Sequence, residues 1–303
     1  MPGPVVVVGA HIQGLFLHVD SVPAEGESVM GFGFEEPLDG GKASNQAVAA
    51  ARLGAPTVLV TVVGNDERAE RALRFFAETG IDTRFCFRLD GPTDVGFVLL
   101  PPSKIPAIAS AMERNRELNA ATVERAGDGI ASGSIVVSCL EAPQEAASAA
   151  FRLAREAGVP TILNPAPAAD LDPTLLQLTD LLVPNEHEAA ALAGREGPPA
   201  ALAEELRGRL GVDAVIVTAG ADGAFVAAGG PVRHVRADPV VPVNTTGAGD
   251  AFVAALAVRL RAGGALEDAA AFAVRAATLS VTRPGTMLAF PTADEVRALG
   301  SAA

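Results

Sequence analysis

An α/β protein, with a mostly parallel central sheet flanked by helices and a small β-sheet lid over the substrate cleft, is predicted by three features of the 303-residue sequence. Short runs rich in β-branched residues alternate with longer stretches whose apolar residues recur at spacings of three and four, the pattern of parallel strands joined by right-handed helical crossovers. Glycine-containing turns lead into several helical stretches, at the sheet edge where such folds bind ligands. Two segments, about 12–38 and 85–110, break the alternation without a helical period.

In chain order, the runs Val5–Val8, Val58–Val63, Ile135–Cys139, Thr161–Leu163, Leu181–Val183 and Ala214–Thr218 read as buried strands. Ala43–Leu53, Glu67–Glu78, Ala142–Ala157 and Ala200–Leu210 read as helices, each with one apolar stripe. Within the interrupting segments, Val29–Phe34 and Val95–Leu100 are extended, and we expect them to pair as an antiparallel lid that keeps water from the cleft. Two ordinary surface hairpins would give the same pattern. No linker or charge run divides the chain, so one domain over 1–303 with two insertions is expected.

Composition narrows the function classes. Hydrophobic residues make up 49% of the chain, enough for a large core, and no unbroken apolar run reaches the length of a membrane span. The N-terminus lacks the charged start and long apolar stretch of a signal peptide, which points to the cytoplasm. A net charge of −13 argues against non-specific binding to nucleic acid or an anionic membrane. Cys86 and Cys139 are too far apart for a metal-binding or redox motif and read as buried thiols.

The turn Asn244-Thr245-Thr246-Gly247-Ala248-Gly249-Asp250 runs into an apolar helix. Glycines let backbone N–H groups approach an anion, and the helix start adds unpaired donors and the positive end of its dipole. Asp250 would stand beside that hole as an acceptor for a hydroxyl proton, although Asp after Gly is equally a common helix cap. Gly40-Gly41-Lys42-Ala43-Ser44-Asn45 is a second such turn, with Lys42 and Asn45 as donors to a polyol. It is not a P-loop, since Glu36 stands where the first glycine belongs and Ala43 where a Ser or Thr would hold magnesium.

Asn185-Glu186-His187-Glu188 follows a strand, so Asn185 and Glu188 are candidates to meet Mg2+ or its waters; a solvated acidic first turn explains the same residues. Thr218-Ala219-Gly220-Ala221-Asp222-Gly223 is a hairpin or a phosphate clamp. No zinc spacing, nucleophile elbow or dinucleotide fingerprint is present.

Taken together and in order, Gly40-Gly41-Lys42 with Asn45-Gln46-Ala47, Asn185-x-x-Glu188 and Thr246-Gly247-Ala248-Gly249-Asp250-Ala251-Phe252 resemble the signatures of the ribokinase-like, PfkB-type carbohydrate kinases, over about Val5 to Pro291. Leu140-Glu141 and Asn164-Pro165-Ala166-Pro167 resemble the ribokinase branch. The resemblance implies a Rossmann-like core with a β lid and transfer of the ATP γ-phosphate to a sugar hydroxyl. It implies Asp250 as the general base and the amides of Gly247, Ala248, Gly249 and Asp250 as the anion hole. Thr218, Gly220 and Gly223 would border ATP together with Asn185, Gly247 and Gly249. Asn185 and Glu188 would organise Mg2+ through its waters, and Gly40, Gly41, Lys42, Asn45 and Glu141 would face the sugar.

Departures concern the acceptor. The family usually has Asn-x-Asp after the first strand, whereas this chain has Ile12 and Gly14, so a sugar-binding carboxylate is missing and His11 or Gln13 is the candidate to recognise the acceptor in its place. Arg114 and Arg116 would meet either an acidic substrate group or solvent. Asn244, Thr246 and Gly285 are the positions of a monovalent-cation site for K+, with Asn244 standing where Asp is usual. A nucleoside kinase and a non-catalytic sugar or nucleotide sensor are the alternatives. The edges of an exposed lid sheet would suit a homodimer.

Overall fold

The computed structural model describes residues 2–37, 40–103 and 107–300. Leu38, at the end of the first expected lid segment, and residues 104–106 of the second lie outside the described residues. Fourteen strands are assigned among the described residues: β1 (Val5–Val8), β2 (Gln13–Val19), β3 (Gly31–Glu35), β4 (Thr57–Val63), β5 (Ile81–Asp82), β6 (Cys86–Arg88), β7 (Val95–Leu100), β8 (Ala107–Ala111), β9 (Ile135–Cys139), β10 (Thr161–Asn164), β11 (Leu181–Leu182), β12 (Ala214–Thr218), β13 (Ala224–Ala227) and β14 (Arg233–Val235).

The large sheet has the order β14-β13-β12-β11-β10-β9-β1-β4-β5, with β6 pairing alongside β4. It is parallel from β12 through to β5, and β13 and β14 add an antiparallel edge. Alternation of side chains explains how one apolar run serves two cores: Val5 and Val7 join one buried cluster, while Val6 and Val8 join the other. The first cluster is built largely from alanine. Helices Lys42–Arg52 and Ala248–Arg261 pack against each other there, and small residues such as Ala47, Ala50, Ala254 and Ala255 let their backbones approach. The second holds bulkier side chains, among them Phe151, Ile130 and Leu206.

The expected elements in the core are all present, but helices Leu266–Ser280 and Ala293–Gly300 and strands β2, β5, β6, β8 and β14 are among those that went unrecognised. Leu266–Ser280 is apolar on most of its surface and packs on Ala248–Arg261, so it lacks the single stripe that marks an amphipathic helix.

The lid requires a correction. Its order is β3-β2-β7-β8, so Val29–Phe34 and Val95–Leu100 share a sheet without being neighbours. Between their strands, β3 and β7, lies β2, antiparallel to the first and parallel to the second. Both β2 and β7 follow strands of the parallel core and leave its edge in the same direction, and the Gln13 N–H bonds the Asp94 carbonyl (2.8 Å) where they meet. No helix among the described residues is long and apolar enough to cross a membrane.

Candidate active site

The N-termini of helices Lys42–Arg52 and Ala248–Arg261 converge, and each begins at a glycine with φ 78° and no side-chain cap. A left-handed backbone at both positions admits glycine with least strain. At Gly247 the space is also closed, since a Cβ would lie 2.5 Å from Thr286 Cγ2. The Ala248 N–H turns back onto the Thr245 carbonyl (3.2 Å), and the first i→i−4 bond of the helix runs from Ala251 to Gly247 (2.9 Å). The intervening N–H groups, on Gly249 and Asp250, are the donors that such a helix start offers an anion. Nothing lies within 4 Å of a Cβ built on Gly249, so the turn is open on that side.

Asp250 is 5% exposed. Its Oδ2 accepts from Asn45 Nδ2 (2.9 Å) and its Oδ1 from Gln46 Nε2 (3.0 Å), so the carboxylate is held by the neighbouring helix rather than capping its own. Burial raises its pKa, opposed by the charge of Lys42 and by these two bonds. Gln46 in turn donates to Asn164 Oδ1 (3.3 Å), whose amide donates to the Val183 carbonyl (2.8 Å). Gln46 and Asn164 were not singled out individually. The available signal was Ser44-Asn45-Gln46, three polar residues buried in an otherwise alanine-rich helix.

Lys42, Asn185, Glu188, Thr218, Gly247, Gly249 and Asp250 line one cleft together with Asn164, Ala166, Val183 and Val253. Glu141 joins this group by accepting the Lys42 backbone N–H (2.5 Å). Burial pushes the Glu141 carboxyl up to about 7, against the charge and N–H of Lys42, while the charge of Asp250 adds to the rise. Burial also depresses the Lys42 ammonium, but Asp250, Glu141 and other anionic groups outweigh it and leave its pKa raised. One lysine thus faces three carboxylates.

Asn185 and Glu188 form the helix cap that one reading of their motif expects. They form a reciprocal capping box, with Asn185 Oδ1 accepting from the Glu188 N–H (2.8 Å) and Glu188 Oε2 from the Asn185 N–H (2.9 Å). Glu188 is nevertheless buried and in the cleft, and burial raises its pKa despite that hydrogen bond. A buried carboxylate in the cleft is the kind of group that fits a divalent cation. No set of three His, Cys, Asp or Glu among the described residues could hold a metal directly, so Mg2+ would be held through water and phosphate oxygens.

Thr218 sits beside Asn185 through an isolated parallel bridge. The turn beyond it is closed by the Ala219 N–H on the Gly223 carbonyl (2.8 Å); Gly220 opens to free space, while Gly223 packs against the backbone of Val235 and Ala237. Asn244 donates through Nδ2 to the Gly285 carbonyl (3.1 Å) and accepts the Thr246 N–H on Oδ1 (2.9 Å). The three expected cation-site residues therefore meet, already joined by one amide. Exposed Val241, Val243 and Leu288 flank this junction and had not been recognised; they occur in loops, where no periodicity marks an apolar residue.

His11 and Gln13, expected to recognise the acceptor, lie outside the set of residues that lines the cleft. Both side chains are fully buried. His11 Nδ1 meets Ser44 Oγ (3.1 Å) and its ring packs edge-on against Phe76, while burial depresses its pKa to about 4 despite nearby Asp94 and Asp66. Gln13 Nε2 donates to the Pro37 carbonyl. Arg114 is also spent elsewhere, on the Asp90 carbonyl (2.7 Å) and on Glu117 (2.5 Å), and Arg116 is exposed.

Comparison with known proteins agrees with this geometry. The family described as pfkB family carbohydrate kinase matches residues 5–293. The ribokinase of Haemophilus influenzae is 34% identical over 285 residues, covering 92% of this chain and 93% of its own. A ribokinase structure from Thermotoga maritima superposes with a TM-score of 0.91 at 30% identity, covering 99% of both chains. That of Arabidopsis thaliana ribokinase, complexed with ribose and ATP, gives 0.92 at 27% identity and the same coverage. The chain therefore belongs to the pfkB family of carbohydrate kinases and is a ribokinase-like, ATP-dependent sugar kinase.

Proposed function

We propose that Asp250 is the general base of this kinase and that the acceptor is a pentose or pentose derivative phosphorylated on a primary hydroxyl. The observation that carries the reading is the convergence of two uncapped glycine helix starts and Lys42 on one buried carboxylate. As the acceptor oxygen bonds to the γ-phosphorus, its proton passes to an Asp250 oxygen, and the bond from that phosphorus to the oxygen of the departing ADP breaks. The Gly249 and Asp250 N–H groups, with Gly247 and Ala248 shaping the turn, stabilise charge on the phosphoryl oxygens. Lys42 adds positive charge, and Asn45 and Gln46 orient the base.

Asn185 and Glu188 would hold Mg2+ through water, and the ion would supply charge neutralisation on the phosphates. Thr218, Gly220 and Gly223 border the nucleotide, and Val241, Val243 and Leu288 offer apolar surface to its base. Gly40, Gly41, Lys42, Asn45 and Glu141 face the sugar. In this reading the chain is one kinase unit working in the cytoplasm, with a lid from insertions at about 12–38 and 85–110. Phe32, Phe34, Phe97 and Ile108 are exposed on that lid, and a second copy covering them makes a homodimer, which sedimentation would measure. The joined Asn244, Thr246 and Gly285 do without K+.

The test is an ADP-release assay with ATP and Mg2+ across D-ribose, 2-deoxy-D-ribose, hexoses, keto-sugar acids and nucleosides. A pentose should give the highest kcat/KM. A nucleoside as best substrate would favour the alternative in which Phe residues of the lid contact a base. Binding without turnover on every acceptor would favour a sensor.

A further inference from the structure

The two chain segments that leave the core for the lid meet at one buried side chain, Asn115, which is 1% exposed. Its Nδ2 donates to the His11 carbonyl (2.8 Å) and its Oδ1 accepts the His11 N–H (3.2 Å), so a single amide grips both polar groups of that residue's backbone. The same Nδ2 donates to Asp94 Oδ2 (2.7 Å), which also accepts the Asn115 N–H (2.8 Å), and Asp94 Oδ1 takes the Arg114 N–H (2.9 Å). Asp94 immediately precedes β7, and His11 lies between β1 and β2. One amide thereby sets the separation of the two lid roots.

The coupling continues to the site. A Cβ on Gly41 would lie 2.7 Å from the Ala10 carbonyl oxygen, 2.8 Å from the Ile12 nitrogen and 3.0 Å from His11 Cα, so the glycine turn rests directly on the backbone that Asn115 holds. Ser44 Oγ reinforces this seat through the Gly40 carbonyl (2.6 Å) and the His11 ring. The next N–H after the turn, on Lys42, is the one bound by Glu141. Close packing transmits displacement along such a path, because backbone in van der Waals contact cannot yield on one side only.

We propose that Asn115 is a positioning residue for acceptor recognition. It holds the His11 peptide, and through it the Gly40–Gly41 turn, at the height where Lys42, Asn45 and Glu141 meet the sugar. The inference rests on the assignment of that turn to the acceptor. It assigns no contact between Asn115 and substrate, and the nucleotide side of the cleft stands apart from the path.

The test compares Asn115→Ala and Asn115→Asp with the unaltered protein, using D-ribose with 2-deoxy-D-ribose in parallel and Mg-ATP. Acceptor KM should rise about tenfold in the alanine variant, the size expected from loosening one net hydrogen bond, while the KM for ATP stays within about twofold. In Asn115→Asp two carboxylates face each other, with Asp66 near His11 and with Glu113 and Glu117 paired to Arg114 on the same turn. Lowering the pH lets that pair share a proton and restores the donor, so acceptor KM should fall towards the unaltered value as pH drops. Equal rises in both KM values, an unchanged acceptor KM, or loss of folding in both variants at every pH would overturn the proposal and leave Asn115 a stabilising residue only. Asp250→Asn is the control for the underlying site: if it loses turnover while Asn115→Ala keeps its acceptor KM, the site stands and only the positioning role falls.

Discussion

Replacing Asp250 with Asn is the most direct probe of the chemistry. The change removes the proton acceptor while keeping shape, and general-base catalysis contributes about 10²–10⁴-fold, equivalent to roughly 3–5 kcal/mol of barrier. The structure argues for an undiminished loss, because Glu188 and Glu141, the nearby carboxylates, each already accept a backbone N–H. Glu188 accepts the Asn185 N–H in its capping box, and Glu141 accepts the Lys42 N–H. Structural cost should be small by comparison. The new amide can still accept from Asn45 or Gln46 but turns its NH2 towards the other donor, losing about 1–3 kcal/mol, while relief of a buried charge offsets part of this. The assay is coupled ADP release at saturating ATP and acceptor, with kcat and both KM values determined separately and folding checked by thermal unfolding. We expect kcat to fall at least about 100-fold with each KM within a few-fold. Turnover within about tenfold of the unaltered enzyme would refute the assignment of Asp250 as base.

Three further outcomes are expected. Lys42→Met removes a charge that lowers the Asp250 pKa, so the acid limb of the kcat–pH profile should move to higher pH; an unmoved limb would show that another group sets it. His11 has a folded pKa near 4, below its ordinary 6.5, so its contribution to stability is complete above 6.5 and is lost as pH falls from 6.5 through 4. Urea unfolding of His11→Leu should show a flatter pH dependence across that window than the unaltered protein. In Asn244→Asp a carboxylate oxygen would face the Gly285 carbonyl where an amide now donates, so turnover should become dependent on a monovalent cation, tested by exchanging K+ for a bulky ammonium salt.

Much of the architecture was legible because local chemistry and global fold agree. Val5–Val8 is a continuous β-branched run, and Ile135–Cys139 is apolar but for Ser138, because both faces of their strands are covered. Gly40–Gly41 and Gly247 mark helix starts whose positive φ makes glycine the favoured residue. The lid order was not legible, since pairing partners depend on which edge each strand leaves. Nor was the burial of His11 and Gln13. Polar residues beside a missing carboxylate look like recognition groups in a linear reading, but their direction is decided by packing against Phe76 and hydrogen bonding to Pro37.

By itself the sequence determined the α/β class, the family signatures and the residue types that phosphoryl transfer needs, because turn chemistry, periodicity and functional groups are properties of short segments. Only the tertiary structure decided that Asn45 and Gln46 hold the carboxylate of Asp250, some two hundred residues away, and that Asn115 grips both roots of the lid. Those contacts arise where helices and crossovers from distant segments are brought to one edge of the sheet, and no local pattern encodes which side chains will meet there.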